Sequence, residues 1–190
     1  FYDVDVFEES GAQYTVKATL LKDRVTVTID TSGIGLHKRG YRQSDVAAPI
    51  KETLAAALIQ LSFWNDGRIL IDPCCGSGTI PIEAAMIGKN IAPGLNRSFA
   101  CEDWEIIDKT ILKEEKKRAF SAIKTDIKLQ IYGFDIDKKA VLAARQNAEE
   151  AGVDDCIVFG KNDVANLRSA GKNGIIVTNP PYGERIGEQK

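Results

Sequence analysis

Histidine is nearly absent from this chain: His37 is the single one in 190 residues. A Ser-His-Asp triad or a histidine-based metal site has almost nothing to work with. Cysteine is sparse too. Cys74, Cys75, Cys101 and Cys156 form no C-x-x-C pair, and the first two are adjacent. That pattern speaks against a zinc ribbon and a disulfide framework, and fits a reducing cytoplasm. No apolar run approaches the roughly 20 residues that span a bilayer. The opening Phe1-Tyr2-Asp3-Val4-Asp5 lacks the basic and apolar regions of a secretory signal. The expectation is a cytoplasmic protein with no membrane partner. Surplus positive charge is missing as well: a formal net charge of −2 gives no broad electrostatic footprint for nucleic acid. What is present is ordinary for a soluble globular chain, 44% hydrophobic and 27% charged. The length suits one domain with a small appendage.

Residues 1–31 alternate in the manner of strands. Tyr14, Val16, Ala18 and Leu20 share one face, followed by Val25, Val27 and Ile29 after a turn at Lys22-Asp23-Arg24. Thr31-Ser32-Gly33-Ile34-Gly35 breaks the pattern, so residues 1–35 are expected to be a β appendage and 36–190 the main domain. A basic aromatic patch, His37-Lys38-Arg39-Gly40-Tyr41-Arg42, follows the break. It suits either RNA phosphates or a solvated linker. From Pro49 the period becomes helical, with Ile50, Leu54, Ala57, Leu58 and Leu61 on one face. This helix, with Lys51 and Glu52, either closes a pocket or is an ordinary amphipathic helix. Further on, the sequence predicts strands at Arg68–Ile71, Leu129–Phe134, Cys156–Phe159 and Ile175–Thr178. Helices are expected at Thr79–Ile87, within Glu105–Lys124, and at Lys138–Ala151 with Asp137 as N-cap and Gly152 just past the end. Strands alternating with helices define an α/β domain with a parallel sheet.

Chemistry concentrates at the strand ends. "ILIDPCCGSGTIPIEAA", Ile69–Ala85, is a strand, a Gly-x-Gly turn at Gly76 and Gly78, and a helix. Glycines allow a tight turn, and the helix start favours an anion. A dinucleotide fingerprint requires a third glycine where Pro81 stands, and no P-loop sequence occurs. The strand ends instead in Asp72, which repels a pyrophosphate and suits a cationic group such as an amino-acid ammonium. "IYGFDID", Ile131–Asp137, ends the second strand in acid. Asp135 is placed to accept from a ribose diol, with a turn-and-cap role as the alternative. Asp163, in Asn162-Asp163-Val164, is either an acceptor for an adenine amino group or a solvated loop residue. Last comes "VTNPPYGER", Val177–Arg185. An Asn side-chain oxygen and the next carbonyl can both accept from an exocyclic amine, while prolines hold those acceptors rigid. An aromatic after them can stack on an extruded base. Such a site stabilises the amine nitrogen as it becomes pyramidal and nucleophilic.

In this order on successive strand ends, the four sites resemble class I S-adenosylmethionine-dependent methyltransferases that modify amines, whose signature is Asn-Pro-Pro-Tyr. "DTSGIGLHKRGYR" at Asp30–Arg42, "APIKETLAAAL" at Ala48–Leu58, "PGLNRSFACEDW" at Pro93–Trp104 and "NPPYGERIG" from Asn179 narrow the likeness. They resemble THUMP-domain RNA methyltransferases, most of all the bacterial large-subunit ribosomal RNA guanine-N2 methyltransferases. The resemblance implies a Rossmann-like class I methyltransferase sheet, incomplete at the C-terminus, with a small N-terminal β appendage. It implies S-adenosyl-L-methionine as cofactor and ribosomal RNA as partner. Asp72, Pro73, Cys74, Gly76, Ser77, Gly78 and Thr79 would wrap the methionine part of the cofactor. Asp135 with Ile136 would take the ribose and Asp163 the adenine. Asn179, Pro180, Pro181 and Tyr182 would take the target base. No covalent nucleophile is implied, and Cys74 and Cys75 read as small wall residues. Members of that family carry a THUMP domain in front and further strands behind, so the chain is expected to be part of a longer enzyme. Two other readings remain open here: a DNA adenine-N6 methyltransferase, and a catalytically silent RNA-binding module of the same fold.

Overall fold

In the computed structural model, residues 10–43, 49–168 and 172–182 are described. The opening pentapeptide, Ala48 and the Gly183–Gly187 part of the last motif lie outside them. The alternating segment folds as expected into an antiparallel hairpin, β1 (Thr15–Leu21) and β2 (Arg24–Asp30). Lys22 and Asp23 both adopt positive φ, 49° and 57°. A two-residue turn of this kind matches the natural twist of paired strands. Val16, Ala18 and Leu20 lie opposite Ile29, Val27 and Val25. The hairpin is tied to the body where Tyr14 stacks on Trp104, with ring centroids 4.8 Å apart, and where the Trp104 indole N–H donates to the Gln13 carbonyl.

The main domain alternates as its periodicity predicts. In chain order it runs α1 (Glu52–Leu61), β3 (Leu70–Asp72), α2 (Thr79–Gly88), α3 (Lys109–Ser121), β4 (Ile131–Asp135), α4 (Lys138–Glu150), β5 (Ile157–Lys161) and β6 (Ile175–Ile176). The four later strands form one parallel sheet in the order β5-β4-β3-β6. The Asp137 carboxylate caps α4 by accepting from the Lys139 N–H, and Gly152, at φ 68°, follows its last turn. Both capping residues were legible from residue type alone.

Leu70, Ile131 and Ile157 are in register and turn into a core shared with Ile80, Ile82 and Ala144. Helix α2 is apolar around almost its whole circumference, and nine of its ten residues are buried. That is the signature of a central helix rather than a surface one. Its Pro81 accounts for the missing third glycine. In a dinucleotide fold that glycine lets helix and strand approach closely. Here the space is conceded by the strand. A Cβ on Gly133 would lie 2.6 Å from the Phe159 ring and 3.2 Å from Pro81 Cγ.

Helix α1 departs in part from the expected face. Pro49, Ile50 and Lys51 precede the helix; Ile50 and Leu58 pack against the core as expected, but Leu54 and Leu61 are exposed and Ala57 faces solvent. The buried stripe is Glu52, Ala55 and Ile59. Its rotation is set by a carboxylate: Glu52 pairs with Arg42 at 2.9 Å and must point inward.

Candidate functional site

All the singled-out strand ends meet at the carboxyl edge of the sheet, around a cleft of about 400 Å³. That size is within the range of small-molecule sites, about 300–1,000 Å³. One wall is the loop after β3. Gly76 and Gly78 take φ of 54° and 83° to turn the chain into α2. The loop is held from three directions. The Cys75 N–H donates to the Phe134 carbonyl at 2.8 Å, and the Gly76 N–H donates to Asp135 Oδ2 at 2.9 Å. From α4, the buried Asn147 amide donates to the Ser77 carbonyl at 3.0 Å. The Asn147 oxygen accepts from the Gln43 N–H, also at 3.0 Å.

Gln43 ends a strap whose inward contacts the sequence did not reveal. Within the His37–Arg42 patch, Arg39, Tyr41 and Arg42 turn into the domain, while Lys38 is exposed. Tyr41 is 2% exposed and its hydroxyl donates to Glu83 Oε1 at 3.1 Å. Arg39 pairs with the other Glu83 oxygen at 3.4 Å. Arg42 pairs with Glu52 and also donates to Thr79 Oγ1 at 3.0 Å. The two arginines of this strap are spent inside the domain, Arg42 on the buried Glu52 of α1 and Arg39 on the buried Glu83 of α2. No sequence signal marks those partners, which are distant along the chain.

Asp72 is the most unusual group of the cleft, with 1% exposure and a carboxyl in the pocket lining. Its Oδ1 accepts from the Thr178 hydroxyl at 2.7 Å and from the Cys74 N–H at 3.2 Å. Among the described residues nothing donates to Oδ2. Burial, with a smaller push from the Asp135 charge, raises its pKa to about 7, against the opposing pull of the Thr178 and Cys74 hydrogen bonds. A half-satisfied buried carboxylate suits a cationic group, which would compensate the desolvated charge. The sign of the pH effect follows. Below pH 7 Asp72 is mostly neutral and attracts a cation weakly; above it the carboxylate forms. A ligand carrying an ammonium at Asp72 is therefore expected to bind on the order of tenfold more tightly at pH 7.5 than at pH 5.5. Calorimetric titration at the two pH values measures this, and equal affinities would remove the ammonium from Asp72.

Opposite Asp72 stand the other acids. Asp135 accepts at Oδ2 from Gly76 and at Oδ1 from the Asp137 N–H at 2.9 Å. Each carboxylate oxygen has two acceptor sites, so capacity for two hydroxyls remains. Asp163 is exposed on the rim and its Oδ1 caps a short turn through the Ala165 N–H at 2.9 Å. Burial raises the pKa of both thiols, Cys75 far more than Cys74. Neither is an activated thiolate.

Of the residues singled out in the sequence, Asp72, Pro73, Cys74, Gly76, Ser77, Thr79, Asp135, Ile136, Asp163, Asn179 and Pro181 line the cleft. Gly78, Pro180 and Tyr182 do not. Gly78 serves the turn from behind, where a Cβ would meet Ala144 Cβ at 2.9 Å. Pro49, Ile50 and Ile80 also line the cleft, and no residue-type signal marks them. Pro49 and Ile50 bear on the open question about the helix expected from Pro49, for it is the extended segment before α1 that reaches the cleft.

The cleft at the carboxyl ends of the parallel strands is lined by Asp72, Asp135 and Asp163, an arrangement that suits a cationic, hydroxyl-bearing ligand better than a pyrophosphate. The chain belongs to the RMKL-like methyltransferase domain family, whose model matches residues 39–190. It is similar to YpsC of Bacillus subtilis, named as an RNA methyltransferase, with 52% identity over 98% of this chain and 48% of that protein. It is 41% identical to the ribosomal RNA large subunit methyltransferase K/L of Vibrio parahaemolyticus, over 98% of this chain and 29% of that one. The chain thus spans about half or less of these curated relatives. Among solved structures, a predicted N6-adenine-specific DNA methylase from Listeria monocytogenes superposes with a TM-score of 0.89 at 51% identity, covering 93% of this chain and 47% of that one. The methyltransferase SMU.472, in complex with SAH, gives 0.87 at 45% identity, with 95% and 47% covered.

Proposed function

We propose that this chain is the cofactor-binding and amine-recognising part of an S-adenosylmethionine-dependent methyltransferase that modifies guanine N2 in large-subunit ribosomal RNA. The observation that carries the reading is the juxtaposition of Asp72, its Oδ2 without a donor among the described residues, with Asn179 on one cleft. The names of the ribosomal RNA relatives and the SAH complex of SMU.472 support it. The cofactor supplies an electrophilic methyl group. The chain's own part is to hold and orient. Asp72 takes the ammonium, Asp135 the ribose hydroxyls, and Asp163 the adenine amino group. Pro73, Cys74, Gly76, Ser77, Thr79 and Ile136 wall the cofactor, with Gly78 shaping the turn. The Asn179 side-chain oxygen and the Pro180 carbonyl accept from the target NH₂, so its lone pair is released from the ring and aimed at the methyl carbon. Pro181 stiffens this segment and Tyr182 stacks on the base. The catalytic unit runs from residue 36, with 1–35 as its appendage, and ribosomal RNA as substrate implies a cytoplasmic enzyme. The described residues include no helix long and apolar enough to cross a membrane.

Calorimetry with S-adenosylhomocysteine tests the cofactor half. Asp135→Ala is expected to weaken binding by about 1–3 kcal/mol, the cost of hydroxyls left unpaired in a closed site. Unchanged affinity would remove Asp135 from the ribose. A second reading, DNA adenine-N6 methylation, rests on the name of the Listeria structure and on the fact that the same acceptor pair serves both amines.

A further inference from the structure

The end of β6 contains a contact that links the two halves of the proposed site. The strand stays in step with β3 through the Val177 N–H, which donates to the Ile71 carbonyl at 3.1 Å. The next residue, Thr178, is half-buried and reaches sideways to Asp72, at the end of β3. Its hydroxyl donates to Oδ1 at 2.7 Å, the shorter of the two protein hydrogen bonds to that oxygen. Asn179 follows directly. One hydroxyl therefore touches the carboxylate assigned to the cofactor ammonium and begins the segment assigned to the target amine. We propose that Thr178 is a positioning residue: by donating to Asp72 Oδ1 it turns Oδ2 toward the cofactor and fixes the start of the Asn179–Tyr182 segment against the occupied cofactor site. The inference rests on the function proposed above and adds a coupling between its two halves.

Without the hydroxyl, Asp72 keeps, among the described residues, the Cys74 N–H alone, and the segment loses the Thr178 tie to β3 that follows Val177. Among the described residues, the charged and titratable groups around Asp72 are unfavourable to its ionised form: Asp135 across from it on β4, and the thiols of Cys74 and Cys75 in its own loop if they ionise. Thr178, from β6, supplies the opposing pull. The test uses the native protein with Thr178→Val and Thr178→Ser, compared by S-adenosylhomocysteine affinity from pH 5.5 to 8.5 and by single-turnover methyl transfer to RNA at saturating cofactor. Thr178→Val is expected to move the midpoint of the affinity profile up by about one pH unit, the scale of a hydrogen bond to a charged group. It should also slow transfer by about tenfold to a hundredfold through misplacement of the amine acceptors. Thr178→Ser, which keeps the donor, should restore both, whatever the small loss in melting temperature. An unmoved midpoint in Thr178→Val, or a Thr178→Ser variant as defective as Thr178→Val, overturns the inference while leaving the function intact. Absence of S-adenosylhomocysteine binding by the unaltered protein overturns the function and this inference together.

Discussion

Replacing Asn179 by alanine is expected to slow methyl transfer by about 10²–10³-fold at saturating cofactor, the scale set by removing one preorganised polar partner from a reacting centre. Asn179 lines the cleft, half-buried, one residue beyond the Thr178–Asp72 hydrogen bond. Its proposed partner is an amine whose N–H groups become stronger donors only as the nitrogen turns pyramidal and gains positive charge, so the loss falls on the transition state. Cofactor affinity should change little, because the carboxylates assigned to the cofactor are untouched. Single-turnover rates beside calorimetric affinities separate the two quantities. A variant with near-normal transfer would end the assignment of Asn179 to the amine, and one that fails only in cofactor binding would move it to the cofactor.

The second large effect is on stability. Gly78→Val is expected to destabilise the fold by about 2–5 kcal/mol. At φ 83° a β-branched side chain is strained by about 1–2 kcal/mol. Its Cβ would also lie 2.9 Å from Ala144 Cβ and 3.1 Å from the Phe159 ring, contacts that cost about 1–3 kcal/mol of overpacking. Both neighbours belong to packed elements, α4 and β5, and have little room to yield. Against a typical total of about 5–15 kcal/mol this is a large fraction. Urea denaturation, read from the midpoint at unchanged slope, measures it. A loss below about 1 kcal/mol would show that the turn and α4 adjust freely.

These residues differ in how readable they were. That Asp72, Gly76, Asp135, Asn179 and Pro181 gather on one cleft was legible because each is a local signal, a residue type at a strand end, where backbone geometry restricts what fits. Pro180 and Tyr182, read as part of the same segment, do not line it. The capping of α4 by Asp137, with Gly152 beyond its end, was legible for the same reason. The rotation of α1 was not. Its apolar residues run round more than one face, and the buried stripe of Ala55 and Ile59 lies on the side where Glu52 meets Arg42, with Leu58 beside it. The strap at 38–43 was illegible because a run of cations looks the same whether it faces phosphate or a buried carboxylate. Only the fold brings Glu83 to Arg39 and Tyr41. Pro81 was correctly read as excluding a dinucleotide fingerprint, but the compensating space at Gly133 needed the sheet register to be seen. A role at a pocket was one of two open readings for the segment from Pro49, but that Pro49 and Ile50 would reach the cleft from outside the helix was not legible in the helical pattern.

The central claim is methyl transfer to a guanine amine in ribosomal RNA, and nucleoside mass spectrometry tests it most directly. The native protein is incubated with S-adenosylmethionine and protein-free large-subunit ribosomal RNA, and in parallel with DNA. The account predicts N2-methylguanosine in the RNA, lost with Asn179→Ala, and no methylated base in the DNA. N6-methyladenine in the DNA with unmodified RNA would contradict it in favour of the adenine reading, and no methylated nucleoside in either would contradict the catalytic assignment itself.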